Sequence, residues 1–464
     1  MRYVSTRGSA PVLEFEDAVL AGLATDGGLY VPESWPHFSK SQIQEMHGLT
    51  YSELAQQVII PFIGDSIKED IIKSITEDSY NSFSHSEVAP VKELNKNQFL
   101  LELYHGPTLA FKDFALQVLG RLFGHILAKR EKHINIVAAT SGDTGSAAIE
   151  ACRGRDAIEI FILHPKGLVS NIQRRQMTTV IESNVHNIAI EGTFDDCQDL
   201  VKKMFNDPDF RSELNLSAVN SINWARIMAQ VVYYFSSALY LGSPERTIAY
   251  SVPTGNFGDV FAGFVAYKMG LPIQKLMIGT NTNDILVRFM RTGEMQKQDV
   301  VATLSPAMDI QVSSNFERLL FDLCDGDGRV VSQLMDEFSQ SGKMSVSSGV
   351  LLKFKEMFDA CSLDDDGIRK QIASTYKATG LIIDPHTATG IHAATTLTKD
   401  SSVPVVTLST AHPSKFPNAV QEAIDVIPQL PEHLSDLLMR REAFEVLPND
   451  LEIIKSYIRG IATK

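Results

Sequence analysis

Four segments of this chain repeat one pattern: a β-rich run, a short loop of Gly, Ser, Thr, Asn or Asp, and a helix of small residues. They are INIVAATSGDTGSAAIEAC (Ile134–Cys152), TIAYSVPTGNFGDVFAGFVAYKMG (Thr247–Gly270), GLIIDPHTATGIHAATTL (Gly380–Leu397) and VPVVTLSTAHPSKFPNAVQEAI (Val403–Ile424). Strands that alternate with helices pair in parallel, because the chain must cross back over the sheet before each new strand. The pattern therefore predicts an α/β fold of mostly parallel, doubly wound sheets. In such sheets ligands bind beyond the carboxyl ends of the strands, where these polar loops fall. At 464 residues the chain exceeds one small core, so two or more lobes are expected. Residues 1–100 read as a mainly helical region, and residues 292–379 as a mainly helical insertion in the strand–helix series.

Bulk properties exclude several classes of function. Hydrophobic residues make up 44% and charged residues 21%, which is ordinary for a folded chain and not for a disordered one. The formal net charge of −14 argues against binding nucleic acid or an anionic membrane through bulk charge, so an anionic substrate requires a local cationic pocket. Cys152, Cys197, Cys324 and Cys361 lie far apart, with no CxxC pair, which fits reduced thiols in a cytoplasmic protein and offers no metal site. Glu14, Glu16 and Asp17 interrupt any apolar signal-peptide core. The uncharged run Ile227–Pro244 holds Gln230, Ser236, Ser237 and three tyrosines, and reads as a buried helix rather than a membrane span.

Five loops carry candidate chemistry. In HGPTLAFKDF (His105–Phe114), Lys112 sits in an apolar run, a setting lysine avoids unless its stem snorkels or its amine must lose its charge. PTGNFGD (Pro253–Asp259) joins a strand to a helix; its glycines allow close main-chain approach to an anion, or merely a tight turn. In TSGDTGSAA (Thr140–Ala148), Thr140, Ser141 and Thr144 offer hydroxyls and the helix start can hold a carboxylate. Asp143 and Thr144 serve equally as N-caps. VNSINWARIMAQ (Val219–Gln230) presents Asn220, Ser221, Asn223 and Arg226, either as a phosphate clamp or as a capping turn with a surface ion pair. LSTAHPSKF (Leu408–Phe416) ends a strand with Ser409, Thr410, His412 and Lys415. There is no GxxxxGK[ST] and no GxGxxG.

Taken in order, HGPTLAFKDF, SGDTG, NSINWAR, GNFGD and STAHPSKF resemble the threonine synthase family, in its longer microbial and fungal type. YVSTRG (Tyr3–Gly8), GLATDGGLYVP (Gly22–Pro32), SPAMDI and SSNFERLLF are similar to it as well, so the resemblance covers almost the whole chain. It implies a pyridoxal-phosphate enzyme of the tryptophan synthase β-like fold (fold type II) that converts O-phospho-L-homoserine and water to L-threonine and phosphate. The nearest alternative is a related pyridoxal-phosphate lyase or dehydratase. The implied roles are a Schiff-base lysine at Lys112, a cofactor-phosphate cradle at Gly255, Asn256, Phe257, Gly258 and Asp259, and a partner for the pyridine nitrogen at Thr410. Asp143 is implied near the cofactor's 3′ oxygen, Ser141 and Thr144 near the substrate carboxylate, and Asn220, Ser221, Arg226 and Lys415 at the substrate phosphate. His105 and Thr108 are expected to line the site, and no metal is implied. The implied lobes are a large cofactor-binding one (101–112 and 205–464) and a small mobile one (113–204), in a monomer or homodimer without nucleic-acid or membrane partners. Burial of Lys112 among Leu109, Phe111 and Phe114 is expected to lower the pKa of its amine.

Overall fold

The computed structural model describes residues 1–462 apart from residues 218 and 220. In chain order the first strands are β1 (Arg2–Ser5), β2 (Leu13–Glu14) and β3 (Tyr30–Pro32), a small antiparallel sheet in the order β2-β1-β3. The hairpin β4 (Val91–Asn95) and β5 (Gln98–Glu102) follows, then β6 (Ile134–Ala139), β7 (Ile158–Pro165), β8 (Val185–Glu191) and the two-residue β9 (Leu216–Ser217). Next come β10 (Ile248–Pro253), β11 (Ile273–Thr280), β12 (Glu294–Gln296) and β13 (Lys343–Ser345). The last are β14 (Phe358–Ser362), β15 (Val405–Ser409) and β16 (Glu445–Pro448).

Two larger sheets organise the chain. One has six strands in the order β14-β11-β10-β15-β5-β4, parallel except for the β4–β5 hairpin. The other has five strands, β16-β8-β7-β6-β9, all parallel. Every residue of β10 (IAYSVP) is buried, the run expected of a parallel strand covered by helices on both faces. The five-stranded sheet takes β9 and β16 from outside residues 113–204.

The uncharged run after Arg226 is the helix Trp224–Tyr240, buried along nearly its whole length. It packs against the helices Tyr51–Ile63, Lys112–Arg130 and Gly258–Lys268. Among the described residues no helix is long and apolar enough to cross a membrane. Phe114, Tyr51, Tyr80, Phe83 and Tyr233 form an aromatic cluster beneath Lys112, with ring centroids of Phe114 and Phe83 4.6 Å apart. Each such ring contributes about 1.5–3 kcal/mol when fully buried, which anchors the first turn of the lysine's helix.

One expectation needs correction, and two stretches hold strands besides their helices. The third strand–helix unit has its helix, Pro385–Leu397, but residues 381–384 form no strand. The preceding helix ends at Gly380 in the left-handed conformation, and Asp384 already caps the next one, which leaves no length for a strand. The stretch 292–379 is helical over Phe316–Leu323, Gly328–Ser341, Ser348–Met357 and Asp365–Thr379, yet it also contributes β14 to the edge of the main sheet. Likewise residues 1–100 carry the small antiparallel sheet, β4 and most of β5 besides their four α-helices.

Candidate active site

Loops leaving β6, β10 and β15 line one cleft, about 740 Å³ counting the space at its mouth. Lys112, Asp143, Thr144, Ser221, Arg226, Gly255, Asn256, Phe257, Gly258, Asp259 and Thr410 all line it. Asn220 lies outside the described residues.

Lys112 is the first residue of its helix. The loop before it is stitched to the segment after β15: Phe111 N–H donates to Thr410 O (2.9 Å) and His412 N–H to Leu109 O (3.0 Å). The lysine is buried, its Nζ lies 4.8 Å from the Phe111 ring centroid, and Asp143 Oδ2 is 3.6 Å away. Burial pushes its pKa below the ordinary 10.5; Asp143 opposes the shift, and the positive charges of Lys415 and Arg226 reinforce it. The apolar setting expected of this lysine is therefore present, although Leu109 packs away from it with Ile172, Leu434 and Leu437.

Asp143 is not a cap. Gly142 holds the N-cap position, and Asp143 Oδ1 accepts from Lys415 Nζ (2.8 Å) and Gln173 Nε2 (2.8 Å). Burial alone raises its pKa, but Lys415 and Lys112 outweigh that and hold the carboxyl well below the usual range. Thr140 Oγ1 accepts the N–H groups of Gly142 and Gly145, both at 2.9 Å, and so shapes the loop. Ser141 is exposed and outside the cleft lining.

The Gly255–Asp259 loop is a ready anion cradle. Phe257 caps the helix Gly258–Lys268 at φ +65°, and none of the five main-chain N–H groups from Gly255 to Asp259 donates to an acceptor among the described residues. Five free donors at a helix N-terminus suit a phosphate. A Cβ added at Gly255 would lie 2.8 Å from Ala307 O, so only glycine fits there. The loop is braced from the insertion: Ser313 Oγ donates to Gly255 O (2.6 Å), and Asn315 Nδ2 to both Asn256 O and Ser221 O (3.1 Å each). Arg318 holds Asn315 in turn and donates to Tyr30 O (3.0 Å). Asp259 accepts from Tyr233 Oη (2.5 Å) and Tyr234 Oη (3.1 Å), while its Oδ2 has no partner among the described residues. Burial pushes its pKa up to about 7, against the lowering pull of the two tyrosine hydroxyls.

Arg226 is a buried cation lining the same cleft. Its side chain is buried, forms no ion pair among the described residues, makes one long contact to Val219 O (3.4 Å), and leaves Nε without a partner. Burial lowers its pKa to about 10. The capping role in this loop belongs to Asn223, whose Oδ1 accepts Ala225 N–H at 3.0 Å. A cradle of main-chain donors, a buried amine and an unpaired guanidinium thus share one cleft. These residues fit pyridoxal phosphate together with a second, anionic ligand.

Other expected residues lie elsewhere. Lys415 is fully buried outside the cleft lining, and its Nζ donates to Thr108 O (2.6 Å) as well as to Asp143. Thr108 is bonded to Asp113 (Oγ1 to Oδ1, 2.7 Å), and His105 pairs with Glu102 (2.8 Å); neither lines the cleft. Conversely Gln230, His386, Ala307 and Met308 do line it. Gln230 was readable as the residue one turn beyond Arg226, to whose carbonyl its Nε2 donates (2.7 Å). His386 follows the Asp384-Pro385 helix-start signal, and its Nδ1 contacts Asp384 Oδ2 at 2.7 Å.

Known proteins match this architecture from end to end. The family described as "Pyridoxal-phosphate dependent enzyme" matches residues 86–337, "Threonine synthase N terminus" residues 2–80, and "Threonine synthase, C-terminal" residues 387–458. Threonine synthase of Pseudomonas aeruginosa is 55% identical over 459 residues, covering 99% of this chain and 98% of its own length. The structure of pyridoxal-phosphate-bound threonine synthase from Brucella melitensis superposes with a TM-score of 0.98 at 51% identity, over 100% of both chains. Threonine synthase from yeast gives 0.95 at 40% identity, over 99% of this chain and 98% of its own. With a continuous match at these identities around a phosphate cradle and a buried lysine, the chain belongs to the threonine synthase family of pyridoxal-phosphate-dependent enzymes.

Proposed function

We propose that this chain converts O-phospho-L-homoserine and water to L-threonine and phosphate, with pyridoxal phosphate as cofactor. The observation that carries the substrate assignment is Arg226, a buried guanidinium without an acidic partner among the described residues, in the same cleft as Lys112. A phosphorylated amino acid brings an anion beyond its carboxylate for such a guanidinium to bind.

On this reading the N–H groups of Gly255–Asp259 would hold the cofactor phosphate, Thr410 would serve the pyridine nitrogen, and Asp143 the 3′ oxygen. When bound, pyridoxal phosphate supplies an aldehyde that condenses with amines and a ring that spreads the electron pair left at carbon when a proton departs. Lys112 Nζ, whose pKa burial lowers, takes the proton from the substrate Cα; a Cβ proton is lost next, its electron pair expels phosphate from Cγ with the C–O bonding pair, and Lys112 then delivers a proton at Cγ. Arg226, Ser221 and Asn220 hold the phosphate where negative charge grows on departure. Ser141 and Thr144, at the start of the helix Asp143–Cys152, are assigned to the substrate carboxylate. Water then adds its hydroxyl at Cβ and gives up a proton, and a proton is returned to Cα, which completes L-threonine. Closure of the lobe built on the five-stranded sheet excludes water until that addition. The same reading makes the chain a cytoplasmic enzyme for a small-molecule substrate, working as a monomer or homodimer.

The test is to load the protein with pyridoxal phosphate, reduce it with borohydride, map the adduct, and assay unreduced enzyme with phosphohomoserine. An adduct on Lys112 with threonine and phosphate released in equal amounts supports the reading. Release of 2-oxobutyrate and ammonia in place of threonine overturns it.

A further inference from the structure

Two buried lysines share one carboxylate beside the cleft, and they do so unequally. Lys415 Nζ lies 2.8 Å from Asp143 Oδ1, whereas Lys112 Nζ lies 3.6 Å from Oδ2, beyond hydrogen-bond distance. Lys415 has a second strong acceptor in Thr108 O at 2.6 Å and is fully buried, so its positive charge is solvated entirely by the protein. Besides that longer contact, Lys112 has, among the described residues, the face of Phe111 at 4.8 Å and the mouth of the cleft.

We propose that Lys415 is a positioning residue for Lys112: it takes up the negative charge of Asp143, so that Lys112 is the amine left uncharged in the cleft. Asp143 is the only carboxylate within ion-pair distance of Lys112 among the described residues. Were it unpaired, it would hold Lys112 as an ammonium, which can neither condense with an aldehyde nor accept a proton. With Lys415 bound to the same group, the net charge facing Lys112 from that side is near zero. The other charged groups facing Lys112 come from the helices packed around it. Arg226, on the helix Trp224–Tyr240, disfavours a second positive charge. Asp259, on the helix Gly258–Lys268, has one oxygen bonded to Tyr233 and Tyr234 and exerts the opposite pull. Gln173 Nε2 fixes the orientation of the shared carboxylate by donating to Asp143 Oδ1 at 2.8 Å.

This inference rests on the reading of Lys112 as the cofactor-binding amine, but it can be tested apart from it. The full-length protein, stripped of cofactor with hydroxylamine, is trace-acetylated across pH, and the rate at Lys112 is followed by mass spectrometry. The midpoint of that rate reports the proton on Lys112 Nζ directly. Lys415→Met should raise the midpoint by about one pH unit, which is a tenfold lower neutral fraction at any pH below it. Lys415→Arg, which keeps the charge, should leave the midpoint within a few tenths of a unit. Asp143→Asn leaves the Lys415 ammonium uncompensated and should move the midpoint downward. If Lys415 is only a strut, Lys415→Met changes the labelling rate by one factor at every pH with its midpoint in place, and the proposal fails. Should Lys415→Met not fold, Asp143→Asn decides: a midpoint unmoved or raised overturns the proposal. In the loaded enzyme, the acid limb of kcat/KM should shift with the acetylation midpoint in each variant. An adduct mapped to a different lysine would sink the cofactor reading and leave the Lys112 midpoints still decisive for its pairing with Lys415.

Discussion

Replacing Arg226 with methionine should make the ligand-free protein more stable and the enzyme much worse. Burial drops the guanidinium pKa from 12.5 to about 10. At 1.36 kcal/mol per unit, holding that charge in the fold costs about 3 kcal/mol. The sign follows from the order of the two values. The folded pKa is the lower one, so the penalty is present in full below pH 10 and fades only as pH rises from there to 12.5. Methionine fills a similar length without a charge, and at pH 7.5 the variant should gain up to about 3 kcal/mol in urea unfolding in phosphate-free buffer. Added phosphate should narrow the gap, because it stabilises the parent by RT ln(1 + [L]/Kd). Lost charge-assisted hydrogen bonds of about 1.5–3 kcal/mol should raise KM for phosphohomoserine roughly ten- to hundredfold, with the cofactor absorbance unchanged. A variant less stable than the parent without phosphate, or one with unaltered KM, would refute the assignment of an uncompensated anion site.

Two further outcomes follow from the geometry. Asp259 has its folded pKa raised to about 7 by burial, from 3.8, so its penalty is absent at pH 4, grows as pH rises through 7 and then levels off. Asp259→Asn should therefore out-stabilise the cofactor-free parent by a margin that widens from pH 4 to pH 7, up to about 4 kcal/mol; a margin independent of pH, read from urea midpoints, contradicts the burial of that carboxyl. Gly120 lets the helices Lys112–Arg130 and Asp143–Cys152 cross closely, since a Cβ there would lie 2.2 Å from Ala151 O. Gly120→Ala should cost about 1–3 kcal/mol and, because both helices begin at the cleft, weaken cofactor binding by moving Asp143 off Lys112; an unchanged Tm would refute the close crossing.

What the sequence disclosed, and what it withheld, divides along the range of the interactions. The loop Gly255–Asp259 was legible as a turn open to an anion because glycine and a helix start lie within seven residues after a buried strand. The parallel sheets were legible from β10 and β6, where apolar runs end in polar loops. The same local logic misread residues 381–384, where a β-prone Leu-Ile-Ile run is too short to leave one helix and enter the next. It also left Asp143 undecided between cap and ligand, because the answer is Lys415 and Gln173, which arrive from other elements. Ser313 and Asn315 were invisible for that reason too, although they fix the cradle in place. Lys415 shows the limit most plainly. A lysine in a polar loop after a strand can as well face a phosphate as a carboxylate, and its hydrogen bond to Thr108 spans 307 positions of sequence. Side-chain chemistry names the groups a site can contain, whereas their charge states are set by pairings that only the packed elements decide. The neighbours of Lys112 in sequence left a snorkelling lysine and a reactive amine both open, and the arrangement that leaves Asp143 more tightly engaged elsewhere belongs to the tertiary fold.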